Sequence, residues 1–243
     1  MLISIAVAWE VVASLLNNPY LPSPFTVAQK FYQLALDGSL YKNTAASLER
    51  VFLGFGLAAI CGVGLGIAIG ITGRLGRIAG YYAEVMRYVS PISLFPLFIL
   101  VFGLGLSSKI AMIFWVSWIP VLLSSANGIK NVDPVLIKAA ISMGASRGRV
   151  ITAVMIPSAM SYILAGLRIG MGIAFLGLVT AEMIGANSGL GFMVIQASET
   201  FKIADLYVGI IMLSLLGGIL NYAFVLLEKS YTRDRGTGLP FEM

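Results

Sequence analysis

Residues 51–71 read VFLGFGLAAICGVGLGIAIGI, and this run decides the class of fold. It carries no charge over a length that covers about 30 Å as a helix, which matches the hydrocarbon core of a bilayer. A small residue recurs at every fourth position, so one face of the helix lets a neighbour approach closely. The run therefore predicts a membrane-spanning helix that packs against another helix. The small residues are Gly54, Ala58, Gly62, Gly66 and Gly70.

Five further stretches are apolar enough to cross a bilayer, or nearly so. Hydrophobic residues make up 58% of the chain and charged residues only 11%, whereas soluble domains carry about 25% charged residues. We predict an all-α, polytopic membrane protein with six spans in one domain, residues 1–243, and the first span is short. The predicted spans are approximately Leu2–Leu16, Ser47–Thr72, Ile78–Phe102, Lys109–Ile129, Ala159–Met183 and Leu206–Glu228.

Basic residues are unevenly divided between the two sets of connections. Because lysine and arginine concentrate in cytoplasmic loops, the richer set predicts the cytoplasmic side. Six spans then place both termini in the cytoplasm. The richer set is Arg74, Arg77, Lys130, Lys138, Arg147, Arg149, Lys229, Arg233 and Arg235, and the poorer set is Lys30, Lys42, Lys109 and Lys202.

The chain lacks the residue patterns of ATP or metal chemistry. It has no Gly-x-x-x-x-Gly-Lys-Ser/Thr loop for phosphates, so ATP chemistry would come from another polypeptide. It also has no histidine, which is the commonest general base and metal ligand. We therefore expect no catalytic residue, no metal site and no cofactor bound by this chain. The net charge of +5 does not indicate a nucleic-acid partner, because the basic residues flank apolar spans.

Two prolines interrupt the third predicted span. Pro91 and Pro96 each lack a backbone donor, so each kinks or breaks a helix. Broken helices in membranes are tolerated where protein or a water-filled cavity covers the freed backbone. Both prolines are therefore candidates for lining a pathway, and the alternative is a simple packing kink.

The third and fifth predicted spans carry ionisable residues, which are expensive inside a membrane and mark candidate functional sites. Glu182 either lines a pathway or gate or makes a structural hydrogen bond. Arg168 either snorkels to the interface or pairs with another helix. Glu84 and Arg87 lie three residues apart, so we expect a structural pair on one helix face.

The outer end of the bundle carries two further features. Glu49 and Arg50 begin the second span, and local anchoring is their expected role. The segment Gly185–Phe192 could fold back as an external gate, in which Gly189 and Gly191 are candidate residues.

The longest basic connection, residues 130–157, predicts two short helices that meet at a glycine. Asp133 is a good N-cap with Pro134 at the first helical position, and Gly144 is a natural helix stop. Ser146 would cap a second helix over Arg147–Ile156, and Pro157 would then break the chain.

The first of these helices has an apolar face that needs a partner. The face could lie on the membrane, pack on its own bundle or fit a groove on another protein, and periodicity alone does not choose among these. Its residues are Val135, Leu136, Ala139, Ala140 and Met143.

A series of motifs resembles a known family. Lys138-Ala139-Ala140, followed by Gly144 and Ile156-Pro157, resembles the EAA loop of importer permeases in the ATP-binding cassette (ABC) superfamily. The ordered set around it is similar to permeases of the nitrate, sulfonate, taurine and bicarbonate uptake group. That set is Leu21-Pro22-Ser23-Pro24, Ser47-Leu48-Glu49-Arg50-Val51, Phe95-Pro96-Leu97, Phe102-Gly103-Leu104-Gly105, Gly144-Ala145-Ser146-Arg147, Gly166-Leu167-Arg168, Ala181-Glu182-Met183-Ile184-Gly185 and Gly189-Leu190-Gly191-Phe192.

The resemblance implies a transmembrane permease of an ATP-driven importer in a bacterial inner membrane. It implies a second permease copy, two ABC ATPase subunits that bind ATP and Mg, and an extracytoplasmic substrate-binding protein. The implied substrate is a small oxyanion or organosulfonate; a vitamin precursor such as a thiamine pyrimidine is the alternative, and a secondary transporter is a more distant one. Lys138 departs from the family pattern, which usually has glutamate there. The implied ATPase-coupling residues are Asp133, Val135, Leu136, Lys138, Ala139, Ala140, Met143, Gly144, Ala145 and Arg147.

Overall fold

The computed structural model of the chain describes residues 2–16 and 18–234. Arg235, counted above among the basic connections, lies outside the described residues, as do both ends of the predicted domain 1–243. The described chain is helical throughout, with short connections. Its helices are α1 Leu2–Leu16, α2 Pro24–Leu36, α3 Ser39–Ile71, α4 Gly73–Met86, α5 Pro91–Phe102, α6 Leu106–Lys130, α7 Pro134–Ser142, α8 Arg147–Val150, α9 Ile156–Gly185, α10 Leu190–Glu199 and α11 Ile203–Asp234.

Helix α6 is the centre of the bundle, because glycine-rich faces of α3 and α9 pack on two sides of it. A Cβ placed on Gly54 or Gly62 of α3 would come within 2.7 Å of Ile113 or 2.9 Å of Val121. On α9, a Cβ placed on Gly170 would lie 2.6 Å from Val121. Because nothing larger than glycine fits there, the helix backbones approach closely without a hydrophobic driving force.

The predicted third span, Ile78–Phe102, is not one continuous helix. Helices α4 and α5 meet at a bend of 93° across a break of four or fewer residues. Pro91 occupies the first turn of α5, and Ser90 before it is extended, with φ −64° and ψ 118°. A proline disfavours the helical conformation of the preceding residue, which explains the position of the break. Pro96 lies inside α5 and does not end it.

The described residues contain four helices long and apolar enough to cross a membrane, and the bent pair of α4 and α5 would be a fifth span. Helix α1 has 15 residues, below the roughly 20 that a full crossing needs. The first predicted span, Leu2–Leu16, and with it the count of six spans, therefore stays a prediction. The four helices are Ser39–Ile71, Leu106–Lys130, Arg147–Gly185 and Ile203–Tyr231.

Pro157 does not break the chain, so that prediction was wrong. A π-helical turn, Ile151–Met155, joins α8 to α9 and makes one helical rod from Arg147 to Gly185. A proline removes one helical hydrogen bond and collides with the carbonyl one turn earlier. The wider π-helical turn directly before Pro157 gives the ring room without ending the helix.

Two ends of the bundle are distinguished below. We call the end that carries α7 and α8 the loop end, and the end where α9 finishes the Glu182 end. Helix α2 lies against α11, where Lys30 and Asp205 form an ion pair at 3.4 Å. Helix α10 folds back from the Glu182 end and packs on α9 and α11.

Candidate functional site

Helix α7 at the loop end is built by local capping signals. The Asp133 carboxylate accepts a hydrogen bond from the backbone N–H of Val135 at 2.8 Å and caps the helix start. Gly144 has a φ of +80°, a left-handed conformation that suits glycine and ends the helix. The next residue, Ala145, is half-buried and donates its N–H to the Ala140 carbonyl at 3.0 Å.

One side of α7 is apolar and exposed. Val135 is 67% exposed, Leu136 49% and Met143 81%, and Ala139 between them is exposed as well. We call these four residues the outer face of α7. Ala140, predicted to belong to this face, is instead only 5% exposed, because it lies on the inner side of the helix that packs on the bundle.

Basic side chains are exposed on α7 and on the helix that follows it. Lys138 is exposed at the side of α7, and Arg147 and Arg149 are exposed on the first turn of the 39-residue rod. The Ser146 hydroxyl caps that rod by accepting from the Arg149 N–H at 3.4 Å. The loop end therefore presents an apolar patch with a basic border, which suits a groove with an acidic rim.

The Glu182 end contains a buried ion pair. Arg50 on α3 donates from Nη1 to Glu182 Oε1 on α9 at 2.6 Å, and the Ser47 hydroxyl lies 2.8 Å and 2.9 Å from the two carboxylate oxygens. Glu182 is fully buried and Arg50 is 8% exposed. Arg50 also donates to the carbonyl and the hydroxyl of Ser188, at 2.6 Å and 2.8 Å.

The same cluster holds the segment that joins α9 to α10. Backbone N–H groups of three successive residues donate to side chains of the bundle: Gly189 to Asn43 at 2.8 Å, Leu190 to Ser47 at 2.9 Å and Gly191 to Glu182 at 2.9 Å. Gly189 has a φ of +115°, and a Cβ there would overlap the Glu182 carboxylate. Glycine is thus required at this position for both conformation and space.

Glu182 lines no open passage in this conformation. Its carboxylate is satisfied by an arginine, a serine and a backbone N–H, so it fastens three segments of chain together. Sequence reasoning missed Arg50 as its partner, since the two residues are 132 positions apart. A signal was present, because Asn43, Ser47 and Arg50 recur at helical spacing on one face. The role of Glu182 as a gate stays a prediction.

Lys109 is a second buried charge that sequence reasoning missed. It was counted among the residues of a connection, yet it is 3% exposed. Its ammonium donates to the carbonyls of Leu104 and Gly105, at 2.7 Å and 3.0 Å. These contacts fasten the turn between α5 and α6.

The predicted pair of Glu84 and Arg87 is not formed. Among the described residues, no carboxylate lies within 4 Å of a guanidinium nitrogen of Arg87, and Glu84 is exposed. Arg87 caps the end of α4 with its backbone, where the chain turns toward α5, and its guanidinium carbon lies 5.6 Å from the centre of the Tyr88 ring. The guanidinium contacts the Tyr88 ring instead of the Glu84 carboxylate.

Arg87 borders a cavity of about 350 Å³ that lies between α5, α6 and α9. Pro91 lines this cavity, whereas Pro96 does not. Thr180 of α9 lines it from the opposite helix, and most of the remaining wall is apolar. We call this space the α5–α6–α9 cavity.

Arg168 pairs across helices. Its guanidinium lies 3.4 Å from the carboxylate of Glu228 on α11, and both side chains are partly exposed, at 44% and 28%. The pair borders a second, more polar cavity of about 390 Å³ between α9 and α11. An ion pair this exposed contributes little to stability.

The fold matches solved ABC transporters. A methionine ABC transporter in an inward-facing form superposes with a TM-score of 0.71, at 17% identity, over 82% of this chain and 98% of the matched chain. An amino acid ABC transporter does so with a TM-score of 0.64, at 19% identity, over 85% and 96%. At these identities the likeness shows the fold alone.

Sequence relatives are closer. The taurine transport system permease protein of Escherichia coli K12 is 36% identical over 96% of this chain and 86% of its own length. A putative aliphatic sulfonates transport permease of Bacillus subtilis 168 is 33% identical over 94% and 84%. The nitrate import permease of Synechococcus elongatus is 30% identical over 85% and 81%. The family model for the binding-protein-dependent transport system inner membrane component matches residues 54–233, and this chain belongs to that family of ABC transporter permeases.

Proposed function

We propose that this chain forms the translocation pathway of an importer for small oxyanions or organosulfonates and is driven by separate ATPase subunits. The carrying observation is the outer face of α7, four exposed apolar residues on a short helix at the basic end of the bundle. An exposed apolar helix face with polar borders is typical of a surface that docks a partner. The partner we infer is an ABC ATPase that binds ATP and Mg, and this chain itself catalyses no reaction.

The connection from α7 to the bundle supports transmission of force. Helix α7 packs on the π-helical turn Ile151–Met155, which continues into α9. A partner that moves α7 would therefore push on a rigid rod that reaches Gly185 at the opposite end of the bundle. We infer that ATP-driven closure of two ATPases rocks α9 and alternates the opening of the pathway.

The position of the charges supports an orientation for this multi-pass protein. The loop end carries Lys130, Lys138, Arg147 and Arg149, so it would face the cytoplasm together with both termini. The Glu182 end would then face outward and receive an extracytoplasmic binding protein. We further infer that a second copy of this chain completes the pathway within the bilayer.

The relatives support a substrate class. Their names specify taurine, aliphatic sulfonates and nitrate, which share a compact anionic group of oxygen atoms. We therefore propose an oxyanion or organosulfonate as the cargo.

The test is ATPase activity of the complete complex in lipid. The chain would be co-purified with its neighbouring ATPase and binding protein and given taurine, alkanesulfonates, nitrate and bicarbonate. Stimulation by one of these ligands is expected. A complex that assembles but responds to none of them would contradict the substrate class, and failure to bind any ATPase would contradict the importer function. A crosslinking scan in which residues 135–143 never reach the ATPase would contradict docking through α7.

A further inference from the structure

We propose that Arg87 binds the sulfonate group of a transported alkanesulfonate, whose alkyl chain lies against the apolar wall of the α5–α6–α9 cavity. This inference rests on the proposed importer function and narrows its substrate class.

The cavity lies at the middle depth of the bundle. Its wall on α6 runs from Met112 to Pro120. At 1.5 Å per residue, this wall begins about 9 Å and ends about 21 Å from the start of α6 at Leu106. Since α6 has 25 residues, the cavity lies beside the middle of this helix, at a depth that a solute crossing the bilayer would pass.

The backbone beside the cavity is non-helical at this depth. Residues 87–90 form the break between α4 and α5, where the N–H groups of Arg87, Tyr88 and Val89 donate to carbonyls three residues earlier instead of four. Irregular backbone within a membrane is tolerated where protein buries it or where it lines a water-filled space. Because Arg87, Val89 and Pro91 all border the cavity, the break is consistent with a hydrated pathway at this point.

The charge of Arg87 has no acidic counterpart in the described part of the chain. No carboxylate there lies within 4 Å of its guanidinium, although Glu84 is only one helical turn away. The guanidinium carbon lies 5.6 Å from the centre of the Tyr88 ring, a cation–π contact with a side chain that is itself 79% exposed. Arg87 is an exposed side chain beside this largely apolar cavity, and a sulfonate would supply an anion with oxygens suited to the guanidinium fork.

The rest of the wall suits a hydrocarbon chain. Trp115, Ile119 and Leu176 line it, and the Thr180 hydroxyl already donates to the Leu176 carbonyl at 3.0 Å. Nitrate is polar on every side and would gain nothing from such a wall. Taurine carries an ammonium group, yet no carboxylate is among the described residues that line the cavity. An alkanesulfonate is therefore the best match in charge and polarity.

The size of the cavity agrees with a small cargo. A volume of about 350 Å³ lies at the lower end of the range of small-molecule sites. This space accommodates a sulfonate with a short alkyl chain and some water.

The first test measures binding without transport. Cys61 is the only cysteine of the chain, so Thr180→Cys in a Cys61→Ala background leaves the permease with one thiol, at the cavity. The permease–ATPase complex is labelled with N-ethylmaleimide, and labelling of the permease is measured. Butanesulfonate is expected to slow labelling at lower concentrations than taurine or nitrate. Adding Arg87→Gln should raise the protecting concentration of butanesulfonate about ten-fold or more, since hydrogen bonds to a charged group are lost. Arg77→Gln, on the same helix but outside the cavity, should leave protection unchanged.

The second test measures transport per ATP. With saturating butanesulfonate-loaded binding protein in proteoliposomes, Arg87→Gln should lower uptake per ATP hydrolysed, and Arg87→Lys should restore part of it. A merely structural role would lower uptake and hydrolysis together and leave their ratio unchanged.

The outcomes separate the two proposals. If nitrate and butanesulfonate protect the Thr180→Cys thiol equally while Arg87 is intact, or if neither protects it, the assignment of the cavity is overturned. This holds whatever the transport assay shows. If butanesulfonate protects the thiol at the same concentration with and without Arg87→Gln, the role of Arg87 is overturned. Absence of any stimulated ATPase activity instead contradicts the importer function, and the labelling result still decides whether the cavity binds sulfonates.

Discussion

At the residue scale, the pair of Arg50 and Glu182 is the most buried charge interaction among the described residues. Burying two charged groups away from water is tolerated only while each group is paired with the other. Removing one partner leaves an uncompensated buried charge, which typically costs about 3–5 kcal/mol. Replacing both with apolar residues of similar size removes that penalty.

We therefore expect Arg50→Met to lower thermal stability strongly, and the double change Arg50→Met with Glu182→Leu to recover part of the loss. Thermal unfolding of the four purified proteins in detergent, arranged as a double-mutant cycle, measures the coupling. Glu49→Gln is the matched control, because Glu49 is the exposed neighbour of Arg50 and should have little effect. Additive losses in the cycle would show that the pair is not coupled.

Gly189 supports a second prediction at this scale. Its backbone, with φ +115° and ψ 163°, lies in a region that is essentially restricted to glycine, and a Cβ would also overlap Glu182. Gly189→Ala should therefore destabilise the protein by more than Gly38→Ala. Gly38 has a φ of +74° but open space around it, so its substitution carries backbone strain alone. Equal shifts in melting temperature for the two variants would contradict the overlap.

At the scale of elements, sequence signals predicted α7 well because they are local. A cap at Asp133, a left-handed stop at Gly144 and a cap at Ser146 each depend on residues within one helical turn. Ala140 was assigned to the wrong side, since an alanine carries too little hydrophobicity to indicate which of two packed sides it joins. The prediction at Pro157 failed because the π-helical turn Ile151–Met155 accommodates the proline ring, and no residue pattern predicts such a turn.

The Arg50–Glu182 cluster could not be predicted for a different reason. Its parts come from α3, from α9 and from the segment before α10, and helix packing alone brings them together. The third span shows the intermediate case. Its prolines predicted a break or a kink, but which of Pro91 and Pro96 breaks the helix depends on the chain around each of them.

Helix α7 itself carries a prediction about partner binding. Met143→Glu places a charge on the exposed outer face and should lower recovery of the ATPase in co-purification by about ten-fold, the effect of losing roughly 1.4 kcal/mol. Ile141→Glu is the matched control, because Ile141 is 59% exposed but lies on another side of α7. Both variants should keep the melting temperature of the isolated permease. Equal losses of ATPase would contradict docking through the outer face.

At the scale of the whole molecule, the proposed function gives the two ends of the bundle different roles: the loop end docks the ATPase, and the Glu182 end receives the binding protein. The loop end is basic, exposed and apolar at its tip, while the Glu182 end is fastened by buried hydrogen bonds. Helix α9 connects them as one rod that passes the α5–α6–α9 cavity on its way. Under the proposed function, motion of the loop end would be transmitted past the cavity to the segment that Glu182 holds.

This division of roles requires the loop end to face the cytoplasm, and topology labelling tests that requirement. In a Cys61→Ala background, Asp37→Cys at the Glu182 end should react with a membrane-impermeant maleimide added to intact cells, because Asp37 is exposed. Ser146→Cys at the loop end is also exposed and should react only after the cells are opened. The two cysteines serve as controls for each other, since both are accessible on the folded chain. The reverse pattern would place α7 outside the cell, where no ATPase could reach it, and would contradict both the orientation and the coupling role.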